Sequence, residues 1–353
     1  EGLVHADLPD SFYALHAPRL AFLGCHIHFN VVGIRESRLP EEIAEGVDDM
    51  LITATIALDT FFLSSQIFSV IYSAMGVIGI LGNLIIVATT LSSEKLRATC
   101  NILIAIEALC GTIIAVLQLD FTYFSYAKLL MPQSLCYWIA LPCVVALDFE
   151  VIIVLSIALE RYLCTSYPVF HKRINTKGYV GIACSCATIY AASFRILAYF
   201  TVMEVPVICI APFATIGVAL NIWIVLSFFI NVGVILLYLL IRRKLKGSGT
   251  EMADYHKINK SLQTHVCVYL FGWASVFTLC ILVMVTVEDP LLTQALLILL
   301  GPQVYMNMCS SFFVYYFRST LYKQEIRRFL RLDKMKVYTK VFTVSTFSQN
   351  SKN

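Results

Sequence analysis

Seven stretches of this chain, 66–91, 99–124, 135–163, 178–201, 214–241, 262–287 and 291–317, are apolar over more than twenty residues each. A bilayer's hydrocarbon core is about 30 Å thick and is crossed by roughly 20 apolar helical residues. Unsatisfied backbone groups are too costly in lipid for open, irregular structure to cross it. The pattern therefore predicts an all-α membrane protein, a bundle of seven transmembrane helices. Composition agrees: 59% of the 353 residues are hydrophobic and only 14% are charged, against roughly 25% charged in soluble domains. The net charge of +3 is small, and the expected surroundings are a lipid bilayer, with no nucleic-acid partner.

Charge along the chain sets an orientation. The segments after spans 1, 3, 5 and 7 carry Lys95 and Arg97, then Lys172, Arg173 and Lys177, then Arg242 to Lys244 with Lys246, Lys257 and Lys260, then Lys323, Arg327, Arg328 and Arg331. The opposite connectors hold Lys128 as their clear cation, and the first 65 residues hold ten acids against three arginines. Basic loops stay in the cytosol, which places the N-terminus outside and the C-terminus inside, a multi-pass arrangement in the plasma membrane. After span 7, "FRSTLYKQEIRRFLR" puts Tyr322, Ile326, Phe329 and Leu330 on one helical face and Lys/Arg on the other. That pattern predicts a short amphipathic eighth helix in the membrane interface. The expected divisions are an ill-defined extracellular segment 1–65, the seven-span domain 66–317, the interfacial helix 318–331 and a disordered cytosolic tail 332–353.

The N-terminal segment shows neither an initiator Met nor a basic-then-apolar leader. The run Met50–Leu91 is nearly all apolar, but as one helix it would be roughly 63 Å long. Asp59 is therefore expected outside the membrane and the crossing to begin near Gln66. Cys25, His26 and His28 stand close together without a partner cluster, so no metal site is expected. The twelve cysteines lack metal-site spacing and mostly fall within apolar runs, as small packing residues do. Asn259-Lys260-Ser261 falls in a cytosolic loop, where it is no glycan acceptor.

Span 3 ends in "LERYLCTSYPVFHKR", with Arg161 placed 25 residues after Cys136 and seven before Pro168. The Cys–Arg interval rises roughly 37 Å along a helix, so the two lie at opposite mouths of the bundle. Taken alone, Arg161 could be a headgroup anchor. The tripeptide Glu160-Arg161-Tyr162, with Cys136, Pro168 and seven spans, resembles the third helix of rhodopsin-like (class A) G-protein-coupled receptors. Other landmarks resemble the same family: Gly82, Asn83 and Val87 in "GNLIIV", Trp273 in "FGWAS", Tyr238 in span 5 and Tyr315 in "SFFVYYF". Ser275 stands where the family has a proline, Ser311-Phe312 replaces Asn-Pro, Ile230 replaces a proline, and span 4 lacks the usual tryptophan. With "FRSTLY" after the tyrosine, this pattern is most similar to the nematode serpentine chemoreceptors, particularly the Srsx type, over roughly 66–331.

The resemblance implies roles. Glu160, Arg161, Tyr162, Pro168, Tyr238 and Tyr315 would form the switch that couples to a heterotrimeric G protein, with Arg161 paired to Glu160 at rest. The acidic partner usual at the inner end of helix 6 is absent; Tyr255 falls there, beside Asp254. A disulfide is implied between Cys136 and Cys209, the cysteine between spans 4 and 5, and the oxidising outer face allows it. Cys143, Val144, Leu147, Trp273, Val276, Phe277, Cys280 and Tyr305 would line the ligand cavity. Cys143 occupies the place of the aspartate that grips amines, which disfavours an amine. A small, odorant-like ligand suits this lining, and a neuropeptide is the alternative. Gly272 is expected to supply the flexibility of the missing helix-6 proline. Asp148 and Arg195 are expected to pair, with anion recognition by Arg195 as the sharper reading.

The family's mid-membrane acid in helix 2 is replaced by Gly111, while Glu150 lies 11 residues before Arg161. The expectation is that the buried acid has moved to helix 3, with Asn83, Asn307 and Ser311 around it and Glu107 as a competing acid. No cofactor is expected. Na+ at Glu150 is the sharper alternative to a neutral, hydrogen-bonded glutamate, which is the simpler reading. Ser345, Thr346 and Ser348 are candidate phosphorylation sites. Other classes fit less well: span 7 has no lysine for retinal, no duplicated half points to a transporter, and no clustered His, Asp or Cys points to an enzyme.

Overall fold

The computed structural model describes residues 41–215, 217–247, 253–287 and 289–332. Its helices are α1 (Glu41–Ser92), α2 (Thr99–Leu117), α3 (Leu119–Tyr126), α4 (Gln133–Ser166), α5 (Pro168–Arg173), α6 (Thr176–Phe200), α7 (Val218–Gly247), α8 (Ala253–Thr286), α9 (Pro290–Arg318) and α10 (Thr320–Phe329). Six described helices are long and apolar enough to cross a membrane, and Phe271–Thr286 within α8 adds a shorter apolar stretch. The chain is an all-α membrane protein with a seven-helix bundle, the seven crossings falling in α1, α2, α4, α6, α7, α8 and α9. The Cys25, His26 and His28 group, where no metal site is expected, and the hydroxyls of Ser345, Thr346 and Ser348 lie outside the described residues.

Local chemistry sets the breaks. Tyr167 turns away from helical geometry before Pro168 (φ −135°, ψ 63°), because a residue preceding proline is pushed out of the helical region. Pro168 then opens α5 as its first residue, where the missing N–H costs nothing. Asn175 caps α6, its side chain accepting from Lys177 N at 3.1 Å. Ser319 does the same for α10 through Tyr322 N.

The helices close a ring in which α1 packs on α2, α2 on α4, α4 on α7, α7 on α8, α8 on α9 and α9 on α1, while α6 lies against the outside of α4. Two lengths differ from expectation. α1 is one continuous helix of 52 residues, so the acidic stretch before Gln66 extends the helix rather than ending it. Asp59, expected outside the membrane, pairs with Lys128 of the outer connector at 2.8 Å. α8 begins at Ala253, so Asn259-Lys260-Ser261 lies in a helix and not in a loop.

The end of the bundle expected to face outward carries a feature that hydropathy does not announce. β1 (Leu130–Pro132) and β2 (Pro206–Ile208) pair antiparallel, Met131 opposite Val207. The chain then runs inward through Ile208 to Ala211, all buried. A disulfide joins Cys136 of α4 to Cys209, with their Cα atoms 5.3 Å apart.

On the inner side α10 folds back across the bundle. Tyr322 and Ile326 are buried as the amphipathic pattern predicts, whereas Phe329 and Leu330 remain exposed. Glu325, on the same helix, is also buried. It accepts from Ser93 Oγ at 3.0 Å and pairs with Lys95 at 3.6 Å, which ties α10 to the α1–α2 connector.

Candidate functional site

Three groups of residues named above are distributed along the bundle axis. Nearest the outer side, a cavity of about 820 Å³, the open part of its mouth included, is lined by α1, α2, α4, α7, α8, α9 and the segment after β2. Leu147, Trp273, Val276, Phe277, Cys280 and Tyr305 line it as expected. Cys143 and Val144 are buried but are not part of the wall; Cys143 Sγ instead lies 3.9 Å from Gln118 Oε1. Among the described residues none of the lining side chains is charged.

Sequence reasoning missed several walls. Tyr72 reaches across from α1 and donates to the Ile298 carbonyl of α9; a Cβ at Gly301 would collide with the Tyr72 hydroxyl, so glycine makes the room. The Tyr72 ring stacks on Tyr305, centroids 5.0 Å apart. Ile210, Ala211 and Pro212 close one side, carried there by the disulfide-tied segment. Trp273 stacks on Phe277 at 5.4 Å, and Phe277 meets Trp223 edge-on at 5.7 Å. An aromatic floor thus joins α7 and α8. The signal for the segment was the run "PVICIAPF", too short to separate from a loop without its partner strand.

Behind Trp223 lies a buried ion pair. Arg195 Nε is 2.9 Å from Asp148 Oδ2, and Trp223 Nε1 donates to Asp148 Oδ1 at 2.6 Å. Arg195 Nη1 also donates to Thr215 at 3.1 Å. The expected pairing of Asp148 with Arg195 is present. Arg195 is committed to these partners and does not line the cavity, so the anion-recognition reading is withdrawn.

The middle of the bundle holds Asn83, Glu107, Glu150, Asn307 and Ser311, all buried. The loss of the helix-2 acid acquires a steric reason here: a Cβ at Gly111 would sit 2.8 Å from Asn83 Nδ2. α8 runs unbroken through Gly272, and a Cβ there would lie 3.0 Å from Asn307. Gly272 thus permits close packing of α8 on α9. Ser275, at the missing proline, receives a 2.5 Å hydrogen bond from Gln303 Nε2 of α9. Glu150 Oε2 and Asn307 Oδ1 are buried without hydrogen-bond partners among the described residues. Glu150 lies within electrostatic range of Glu107. Were an ion held here, the Glu150 carboxylate would be its charged ligand, since carboxylate oxygens suit a hard cation such as Na+. Bound there, the ion would supply one positive charge. Among the described residues, however, no three His, Cys, Asp or Glu side chains gather to hold a metal.

At the inner end Glu160 is buried and Arg161 is 19% exposed, with Arg161 Nε 3.6 Å from Glu160 Oε2. Arg161 lies in electrostatic range of Cys100 of α2, Tyr238 and Tyr315. The Tyr315 ring meets Tyr322 of α10 at a tilt, their centroids 5.1 Å apart. Tyr162 meets Tyr167 edge-on at 6.3 Å, and Pro168 is exposed. Two residues were missed as partners. His171 of α5 brings Nε2 within 2.9 Å of Glu160 Oε1, closer than Arg161. Glu107, expected only near Glu150, also faces Tyr315 and Tyr238, which links the middle group to the inner one. The Tyr255 and Asp254 side chains lie outside the described residues.

The bundle thus combines an apolar cavity towards one end, a disulfide-tied segment beside it and a Glu-Arg-Tyr group at the other end. Comparison with curated proteins finds no match. The profile of the family described as the serpentine type 7TM GPCR chemoreceptor Srsx matches residues 76–330, from α1 through α10, and the chain therefore belongs to the Srsx family of serpentine chemoreceptors.

Proposed function

We propose that this chemoreceptor binds a small, weakly polar external ligand in the outer cavity and activates a heterotrimeric G protein at the inner end, from the plasma membrane. The N-terminus faces outward and α10 the cytosol. The observation that supports this most is the coexistence in one bundle of an uncharged aromatic cavity and, at the opposite end, the Glu160–Arg161 pair flanked by Tyr238 and Tyr315.

The mechanism is a population shift. A ligand that binds better to the form with α8 swung outward shifts the equilibrium by its differential affinity and no further. Trp273 and Phe277 are the part of α8 that feels the ligand, since both line the cavity. Outward movement opens a cleft between α4, α7 and α9. Arg161 then leaves Glu160, and the cleft lined by Arg161, Tyr238 and Tyr315 accepts the transducer's tail.

The test is nucleotide exchange on a co-purified G protein in response to an agonist found by an odorant screen. Exchange should accelerate with the native chain and fall at least about tenfold with Arg161→Gln, a loss of roughly 1.4 kcal/mol of coupling. Ligand binding should persist in that variant. Equal exchange by native chain and variant would overturn the proposal, as would a bound ligand that never accelerates exchange.

A further inference from the structure

Tyr305 is only 5% exposed, its ring lines the cavity, and its hydroxyl has no hydrogen-bond partner among the described residues. Its neighbours explain why. The stacked Tyr72 spends its own hydroxyl on the Ile298 carbonyl, and the Cys143 thiol is engaged with Gln118. Of the remaining wall, Ile114, Leu147, Leu297, Val304 and Met308 offer hydrocarbon and thioether groups, while the Gln118 amide lines the cavity with its oxygen already engaged by Cys143. A buried polar group normally finds a partner, and one left without it forfeits the exchange of water for protein that makes burial tolerable. An idle phenol whose residue lines an uncharged cavity, its oxygen itself buried, gains a partner from a ligand that shifts the wall around it.

Resting on the reading of this cavity as the ligand site, we propose that the ligand is a neutral, compact molecule carrying one oxygen hydrogen-bond acceptor, a ketone, aldehyde, ester or ether, and that the Tyr305 hydroxyl donates to that oxygen. The phenolic O–H can donate as well as accept, and a carbonyl or ether oxygen uses the donor that the protein leaves idle. Carboxylates and ammonium ions are disfavoured by the same wall, because no opposite charge faces the cavity to offset their dehydration. Asp148 and Arg195, behind the lining residue Trp223, are satisfied by each other. A pure hydrocarbon fills the space but leaves Tyr305 idle. One neutral hydrogen bond in a dry site corresponds to about a tenfold difference in affinity.

The probes are straight-chain molecules of matched length: an alkane, a 2-alkanone, the carboxylic acid and the primary amine. Binding is read on the full-length receptor in lipid nanodiscs by quenching of tryptophan fluorescence. This works without a G protein, since Trp223 and Trp273 both line the cavity. The ketone should bind about tenfold more tightly than the alkane, with acid and amine weaker than either. Tyr305→Phe should remove the ketone's advantage while leaving alkane binding unchanged. It should also leave thermal stability equal or slightly raised, because the lost hydroxyl bonds to nothing in the ligand-free protein. Equal binding of ketone and alkane to the native chain overturns the inference, as does a Tyr305→Phe variant that keeps the preference. No binding by any member of the set also overturns it. Ketone binding with the expected Tyr305 dependence but no nucleotide exchange would uphold the inference and reject G-protein coupling instead, so the two failures are separable.

Discussion

Glu160 is shared between two bases, with His171 at 2.9 Å and Arg161 at 3.6 Å, so the resting restraint on Arg161 is weaker than a dedicated pair. Removing the competitor should tighten it. In His171→Ala the carboxylate is left to Arg161, and basal nucleotide exchange should drop by about two- to fivefold, the range set by a partly exposed ion pair. Measuring basal exchange at matched surface expression checks this; unchanged or raised basal exchange would mean that His171 does not compete. Glu150 poses the opposite case, an acid with one oxygen idle. On the ion-free reading, external Na+ leaves signalling by the native chain unchanged, and Glu150→Gln, which preserves the shape of the neutral acid, signals alike. A sodium effect that vanishes in Glu150→Gln would put an ion there. Sequence spacing found both acids because helical rise converts residue number into depth. It could not find His171 as a partner, since a six-residue helix after a proline folds back in a direction that no periodicity encodes.

At the scale of elements, the seven crossings were legible because the bilayer demands long apolar runs, and α10 because its two faces differ in polarity. Exact lengths were not. The helix of α1 continues outward past Asp59, since a polar stretch can stay helical where water replaces lipid. The β1–β2 pair was hidden because three residues a side carry too little pattern, and its register is set by the disulfide and the Gln133 contacts with Met203 and Ala214. Of the cavity, the walls from α4, α8 and α9 could be read by position, whereas Tyr72, Trp223 and Ile210–Pro212 depend on how distant elements meet. The α4–α6–α7 contact rests on Asp148, Arg195 and Trp223. Arg195→Met should strand a buried carboxylate and destabilise the receptor by about 3–5 kcal/mol, visible as lost surface expression and a lower melting temperature in detergent. Adding Asp148→Asn should recover part of that loss. A single substitution that melts like the native protein would show that the pair carries no structural weight.

For the molecule as a whole, ligand cavity and inner cluster belong to one continuous bundle, and linkage makes their coupling reciprocal. Whatever factor a ligand adds to G-protein affinity, the G protein must add to ligand affinity. The covalent tie between Cys136 and Cys209 extends this linkage to the surroundings. It holds Ile210–Pro212 as a wall of the cavity, so a membrane-impermeant thiol reductant should lower agonist affinity at least about tenfold (roughly 1.4 kcal/mol), and a reoxidant should restore it. Unaltered affinity after verified reduction would show that packing alone seats the strap. On the proposed reading, such a receptor would sense chemicals only while its outward face stays oxidised: a reducing exterior would blind it with its ligand still present, without touching any atom of the inner cluster.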